Sequence, residues 1–593
     1  MKIKMCNDET YKQEIELQKG LFSGIAIQFG TYGKVNDGEL EVELLDNKEK
    51  KVESWKLDVS KLEDNAFQYF YLEKKIKIKN REKYYLQIRE KYSDDNSVAI
   101  WIRRSENDSK IHSNIKSYEE YNLSYKEIYV NKVLELKIMV YVIVLLTIIC
   151  GTSIFYRGTS TWIRMETSLI MLGILYFMIC PLGMVPDKTN HFSRAFEISC
   201  GNMVSKHLGE TGVGGNFLPE AIQFYKDETA VLNWNNITSI SFGNTALYSP
   251  VTYLPQALGI KIIRYFTNNV SIIFYGGRLG GFVVCMILGS LALYIVPFGK
   301  NIIYLILLFP LTLQEMISLS PDGFTICLSL LFLAYILKLC YAKEKITKID
   351  LVILTIVGGT LALCKIVYIV LLLMIFMLPS KKFETTKKSF GYKICFIIAA
   401  VGLNVIWLKI SAGYMVEFNP GVDSAMQVKF VLTHMLRYAL IVIRTTIMNG
   451  SFYIRTMFGS LMGAASIETN SIIWITYLIL FITSICLCPM PNIKIQKNNV
   501  IILFVTFLSG CALIYTSLYV QWTPYKNDVI NGIQGRYFTP IIATLAMGVV
   551  ISLKNPPLTY NNKKENMFDM VYIHILAIVL NAMTVLDITA YYL

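Results

Sequence analysis

Pro186-Asp187-Lys188-Thr189-Asn190-His191-Phe192-Ser193-Arg194 follows directly on an apolar run at 168–184. The segment puts an acid, an imidazole and a guanidinium just outside a membrane span. Asp187, His191 and Arg194 are spaced i, i+4, i+7, so a helix aligns all three on one face. Pro186 suits a helix start and places Asp187 in the first turn, where the helix dipole favours the ionised carboxylate. Asp187 therefore reads as a base or a cation ligand, with a simple capping aspartate as the alternative. His191 is suited to proton transfer or phosphate binding, and Arg194 to clamping a phosphate through its fork of donors. The solvated face of an interfacial helix would explain the same pair without chemistry.

Other motifs add polar groups of the same kind. Tyr248-Ser249-Pro250-Val251-Thr252-Tyr253-Leu254-Pro255 is a rigid turn whose tyrosines, Tyr248 and Tyr253, either stack on a sugar or belong to an aromatic belt. Gly276-Gly277-Arg278-Leu279-Gly280-Gly281 has no strand before it, so its glycines read as helix-packing positions rather than a phosphate loop. Arg278 lies inside a span, where an unpaired charge costs about 2.5 kcal/mol or more. It needs an anionic ligand or a structural partner such as Asp322. Ser320-Pro321-Asp322-Gly323 is a tight turn between spans, and Gln534-Gly535-Arg536-Tyr537-Phe538 stands at the mouth of another.

The elements that must position these residues follow from composition. Of 593 residues, 53% are hydrophobic, with a mean hydropathy of +0.43. Apolar runs of about 18 or more residues recur from residue 137 onward, each long enough to cross a bilayer. The chain reads as a multi-pass α-helical membrane protein with about twelve spans, at 136–156, 168–185, 272–297, 301–318, 324–341, 350–364, 365–379, 394–411, 471–488, 500–520, 538–553 and 568–588. The net charge of +13 gathers in loops between these runs, which fits cytoplasmic loop charge better than nucleic acid. The twelve cysteines are scattered and spaced for neither a disulfide framework nor a zinc site.

Residues 1–104 differ in kind. Alternating stretches at 24–29, 39–44, 67–78, 84–88 and 98–102, separated by turn signals such as Asn36-Asp37-Gly38, predict an antiparallel β-sandwich. Residues 105–135 read as a polar linker, and 136–593 as the transmembrane core with large outer loops at 186–270 and 412–470. Short basic loops, such as the one with Lys343, Lys345 and Lys348, place their side in the cytoplasm. The sandwich and the motifs above then fall on the outer side. The run at 432–447, which holds His434, Arg437 and Arg444, reads as an amphipathic helix on the outer interface. An exported domain needs a signal, and residues 1–10 are polar. Either a hydrophobic segment precedes this chain or the orientation is reversed, and the agreement of four basic loops favours the first.

On this topology Asp187, His191, Arg194, Asp322 and Arg536 share the outer face, with Arg278 just beneath. One acid among cationic donors at a membrane surface suits a polyprenyl-phosphate sugar: the arginines hold the phosphate and the carboxylate deprotonates an acceptor hydroxyl.

The motifs, taken in order over roughly 165–590, resemble those of the bacterial predicted-membrane-protein family called domain of unknown function 2142. That family is grouped with glycosyltransferases of the C-type fold, multi-span enzymes that use lipid-phosphate sugars and carry an essential acid in the first outer loop, where Asp187 falls. The sandwich is similar to outer-face modules beside such cores. The resemblance implies a membrane glycosyltransferase moving a sugar from a polyprenyl-phosphate donor to a cell-surface glycan or glycolipid. Asp187 and His191 would be catalytic, and Arg194, Tyr248, Tyr253, Arg278, Asp322 and Arg536 substrate-binding. Its partners would be the lipid bilayer, the polyprenyl-phosphate donor and a glycan acceptor. Where the family usually has a second acid, this chain has Lys188, which disfavours a two-carboxylate divalent metal site. Two rival classes remain: a transporter or flippase for lipid-linked glycan, drawing on the hairpin at 350–379 with Lys365, and a non-catalytic surface-glycan assembly protein.

Overall fold

A computed structural model describes the 593-residue chain except residues 1, 7–8, 19, 33–35, 63, 79–80, 92–96, 105–110, 115–116, 119–120, 157–159, 209–211, 414–420, 490–496, 554–562 and 593. The chain divides into two compact units, Met1–Val140 and Tyr141–Tyr592.

The first unit is β-rich and antiparallel. One sheet has the order Lys2–Lys4, Ala99–Arg104, Gly20–Gly30, Tyr125–Tyr129, with Tyr121–Leu123 and Phe67–Ile78 also pairing into it. The other runs Ser117–Tyr118, Ile111–Ser113, Thr10–Leu17, Glu82–Lys91, Glu39–Leu45, Lys51–Asp58. Alternation decides which side chains meet. Tyr11, Ile15 and Leu17 from one sheet and Phe22, Ile25 and Ile27 from the other belong to a single apolar core. Gln13 is buried in it, and its Oε1 accepts the Leu123 N–H from the opposite sheet at 2.6 Å. The expected strands at 24–29, 39–44, 67–78 and 84–88 lie within strands of these sheets, and the one at 98–102 starts one residue before its strand, Ala99–Arg104. The expected linker at 105–135 is not a linker. It contributes Ile111–Ser113, Ser117–Tyr118, Tyr121–Leu123 and Tyr125–Tyr129 to the sheets before the chain enters the helix Val130–Tyr156. Strands of two to five residues are too short to leave a period-two signature.

The second unit is helical. Among the described residues six helices are long and apolar enough to cross a membrane: Thr161–Ile179, Val270–Ile295, Asp322–Tyr341, Thr386–Ala412, Asn498–Gln521 and Val571–Tyr592. Asp322–Tyr341 is apolar all round and almost wholly buried, as a central helix must be. Thr386–Ala412 and Asn498–Gln521 are largely exposed, with outward aliphatics such as Ile398, Ile406 and Leu508. In a bilayer such faces meet lipid.

The expected twelve spans exceed this count. The run 301–318 is broken at Phe309-Pro310 into Lys300–Leu308 and Pro310–Met316, because proline cannot donate within a helix. The runs 350–364 and 365–379 form a 15-residue helix, Lys348–Ala362, and a 12-residue 3-10 helix, Ile366–Met377. The run at 432–447 lies where Ser424–Thr433 and Met435–Met457 meet, bent by 107°.

Two glycines explain one tight contact. A Cβ on Gly259 would lie 2.1 Å from the Gly276 carbonyl oxygen, and one on Gly280 would lie 2.3 Å from that of Pro255. The helices Leu254–Ile263 and Val270–Ile295 therefore meet backbone to backbone, the packing that the glycine run predicts.

Candidate functional site

The helix Lys188–Ser199 begins just after Asp187, which stands at its N-cap with φ 53°, a left-handed conformation that is uncommon outside glycine. The Asp187 carboxylate makes no capping bond and is exposed. Its Oδ1 accepts from Asn244 Nδ2 at 3.2 Å, and Asn244 Oδ1 accepts from Asn190 Nδ2 at 2.6 Å. One turn on, His191 is buried, with Nδ1 2.7 Å from the Tyr253 hydroxyl. Burial pushes the imidazole down to about 3; the Lys365 and Arg536 charges push the same way and Asp322 opposes them. His191 is therefore a neutral imidazole.

Asp187 and His191 line a cavity of about 340 Å3, with Tyr248, Asp322, Lys365 and Arg536. Its polar end holds a buried ion cluster. Lys365 pairs with Asp322 at the start of the Asp322–Tyr341 helix. Arg536 Nε lies 3.6 Å from Asp322 Oδ2, and its Nη1 lies 3.2 Å from Oε1 of the fully buried Glu315. Two cations thus meet two carboxylates. The Lys365 ammonium also stands 5.4 Å from the Tyr248 ring centroid and 5.3 Å from that of Tyr537. The lining also takes Trp407 and Leu408, with Asn404 and Ser411, from Thr386–Ala412, and Ile514 and Leu518, with Ser517 and Gln521, from the helix Lys497–Gln521.

The structure does not bring every expected residue here. Arg194 faces away from the cavity, wholly buried. Its Nη1 bonds Glu197 Oε2 at 2.6 Å and Ser205 Oγ at 3.1 Å, and its Nη2 the carbonyls of Met203 and Tyr248. Tyr253 is buried behind His191 and does not line the cavity. Arg278 does not pair with Asp322. Its Nε donates to the Ile317 carbonyl at 2.7 Å and its Nη1 to that of Cys180 at 3.0 Å, beside the rings of Phe177 and Tyr275. Carbonyls left over at a helix end need such a donor. Lys188 is absent from the large cavity and lines a small one of about 20 Å3 beside Arg278.

Sequence reasoning missed Glu315 and the role of Lys365. Both are charges inside apolar runs, a signal that each needs a partner or a task. Asn244 carried no signal of its own.

The profile of a predicted membrane protein family, DUF2142, matches residues 170–545. The chain belongs to that family. The matched segment of this DUF2142 protein contains every residue that lines the large cavity, and the β unit lies wholly before it. No curated protein matches the chain. With its several apolar helices, this DUF2142 member is a multi-pass membrane protein.

Proposed function

We propose that this protein is a membrane glycosyltransferase that moves a sugar from a polyprenyl-phosphate donor to a cell-surface glycan or glycolipid, on the extracytoplasmic face, with a C-type-fold core. One observation carries the reading. A single cavity holds two buried cations, Lys365 and Arg536, together with Trp407, Leu408, Ile514 and Leu518 from two helices whose outer surfaces are largely exposed. The segment Ile366–Met377 packs against both of those helices, Thr386–Ala412 and Lys497–Gln521.

In this reading the phosphate lies against Lys365 and Arg536 and the lipid chain lies along Trp407, Leu408, Ile514 and Leu518. Asp187, exposed at the cavity, takes the proton of the acceptor hydroxyl. The hydroxyl oxygen attacks the anomeric carbon. The bond from that carbon to the phosphate oxygen breaks, and polyprenyl phosphate departs with the electron pair, its charge stabilised by the two cations. Asp322 and Glu315 hold the cations in position, and neutral His191 offers a hydrogen-bonding wall without adding charge.

The test is the glycan composition of a strain carrying Asp187→Asn at normal protein level. Loss of a surface sugar is expected; an unchanged glycan removes Asp187 from the reaction.

A transporter of lipid-linked glycan is the second reading, favoured by the helix break at 363–365 with its buried Asp322–Lys365 pair. Movement of a lipid-linked sugar across reconstituted vesicles without covalent change would select it.

A further inference from the structure

The outward face of the strand Phe67–Ile78 carries aromatic rings where a water-facing sheet usually carries polar groups. Phe70 and Leu72 are buried in the core, so alternation turns Phe67, Tyr69 and Tyr71 outward. Tyr69 is 50% exposed and Tyr71 60%. Their rings lie within 14° of parallel, with centroids 6.3 Å apart.

Cross-strand neighbours normally cover such rings. Here the residues in register with Tyr69 and Tyr71 are Ala26 and Gly24. Gly24 cannot be enlarged, since a Cβ there would lie 2.3 Å from the Phe70 carbonyl oxygen. Phe67, by contrast, is covered by the Lys126 ammonium, 4.0 Å from its centroid. The strand carrying the rings is fixed at Tyr71, whose carbonyl accepts from Trp55 Nε1 at 2.8 Å. On the neighbouring strands Gln28 faces Phe67, Lys126 faces Ala26 and Ile128 faces Gly24. Two open, parallel rings are thus bordered by an ammonium, an aliphatic side chain and the Gln28 amide, which is itself bonded to the Asn65 carbonyl and the Ser124 hydroxyl.

We propose that Tyr69 and Tyr71 form a glycan-binding platform. The C–H faces of sugar rings pack on aromatic faces, and their hydroxyls find hydrogen-bond partners in Lys126 and the tyrosine hydroxyls. A lipid or protein partner would call for contiguous aliphatic surface, and Ile128 alone does not supply it. The rings stand on a sheet face, not an edge, so strand addition is not the mode. The platform lies in the β unit, and its occupancy does not depend on the transferase reading.

The experiment is retention of the full-length, detergent-solubilised protein on immobilised β-glucan, N-acetylglucosamine oligomers, mannan and galactan. At least one should retain the protein. The Tyr69→Ala/Tyr71→Ala pair should weaken that retention by about tenfold or more, while Tyr69→Phe/Tyr71→Phe, which keeps both rings, stays within about threefold. Retention by none of the four overturns the proposal. So does retention that survives the alanine pair, or a phenylalanine pair as weak as the alanine pair. Because both side chains point outward, an unchanged melting temperature is expected for all variants.

Discussion

Replacing Lys365 by Met removes one partner of an ion pair whose side chains are only 15% and 9% exposed. Breaking such a pair leaves a buried charge and costs about 3–5 kcal/mol. Arg536 remains 3.6 Å from Asp322, so the lower end, about 3 kcal/mol, is expected. Asp322→Asn strands Lys365 in turn, but the Tyr248 and Tyr537 rings retain part of its stabilisation, so about 2 kcal/mol is expected there. The double variant removes both charges together and should cost about 2 kcal/mol, well below the summed singles, giving a coupling of about 3 kcal/mol. Unfolding of the purified protein in detergent, followed by tryptophan fluorescence, measures all four corners. Single effects below about 0.5 kcal/mol, or additive effects, would refute the buried-pair reasoning.

His191 gives a pH signature of definite sign. Its folded-state value lies far below that of the unfolded chain, so from about pH 6.5 downward only the unfolded chain takes up the proton. Its contribution to stability is present above that pH and is lost as the pH falls towards the folded value. Between about pH 7.5 and about pH 5.5 the wild type should lose about 1.4 kcal/mol more than His191→Gln; equal losses would show that His191 is not buried neutral. Arg194→Met strands the buried Glu197 carboxylate and should cost about 3–5 kcal/mol. Arg278→Met exposes two helix-end carbonyls to an apolar surround and should cost about 2–4 kcal/mol. Thermal unfolding checks both, and lipid-phosphate binding by the folded fraction should be unchanged, because neither guanidinium lines the cavity.

The sequence marks some of these features and hides others for physical reasons. A strand such as Phe67–Ile78 announces itself by alternation, because one face must be buried. The short strands at 111–129 have no such period, and two of them, Ile111–Ser113 and Tyr125–Tyr129, join the sheets through Thr10–Leu17 and Gly20–Gly30 near the start of the chain. Hydropathy marks apolar runs but not their geometry. Proline at 310 and the 3-10 winding of Ile366–Met377 turn two runs of span-like composition into shorter pieces. Asp187, His191, Tyr248, Asp322 and Arg536 come together around one cavity. Arg194, which shares the helical spacing of Asp187 and His191, and Tyr253 and Arg278, of the same residue types, receive backbone or buried partners from tertiary packing instead. Partner choice of this kind is invisible in one chain read alone. An acid and a lysine inside apolar runs, Glu315 and Lys365, were visible, and their meeting with Arg536 and Asp322 required the fold.

Native mass spectrometry of the purified protein with added polyprenyl phosphate tests the central claim most directly. The account predicts a bound lipid phosphate on the wild type and on Asp187→Asn. It predicts loss of that adduct in the charge-neutral Asp322→Asn/Lys365→Met double variant. No adduct on the folded wild type, or equal binding by the double variant, would contradict it.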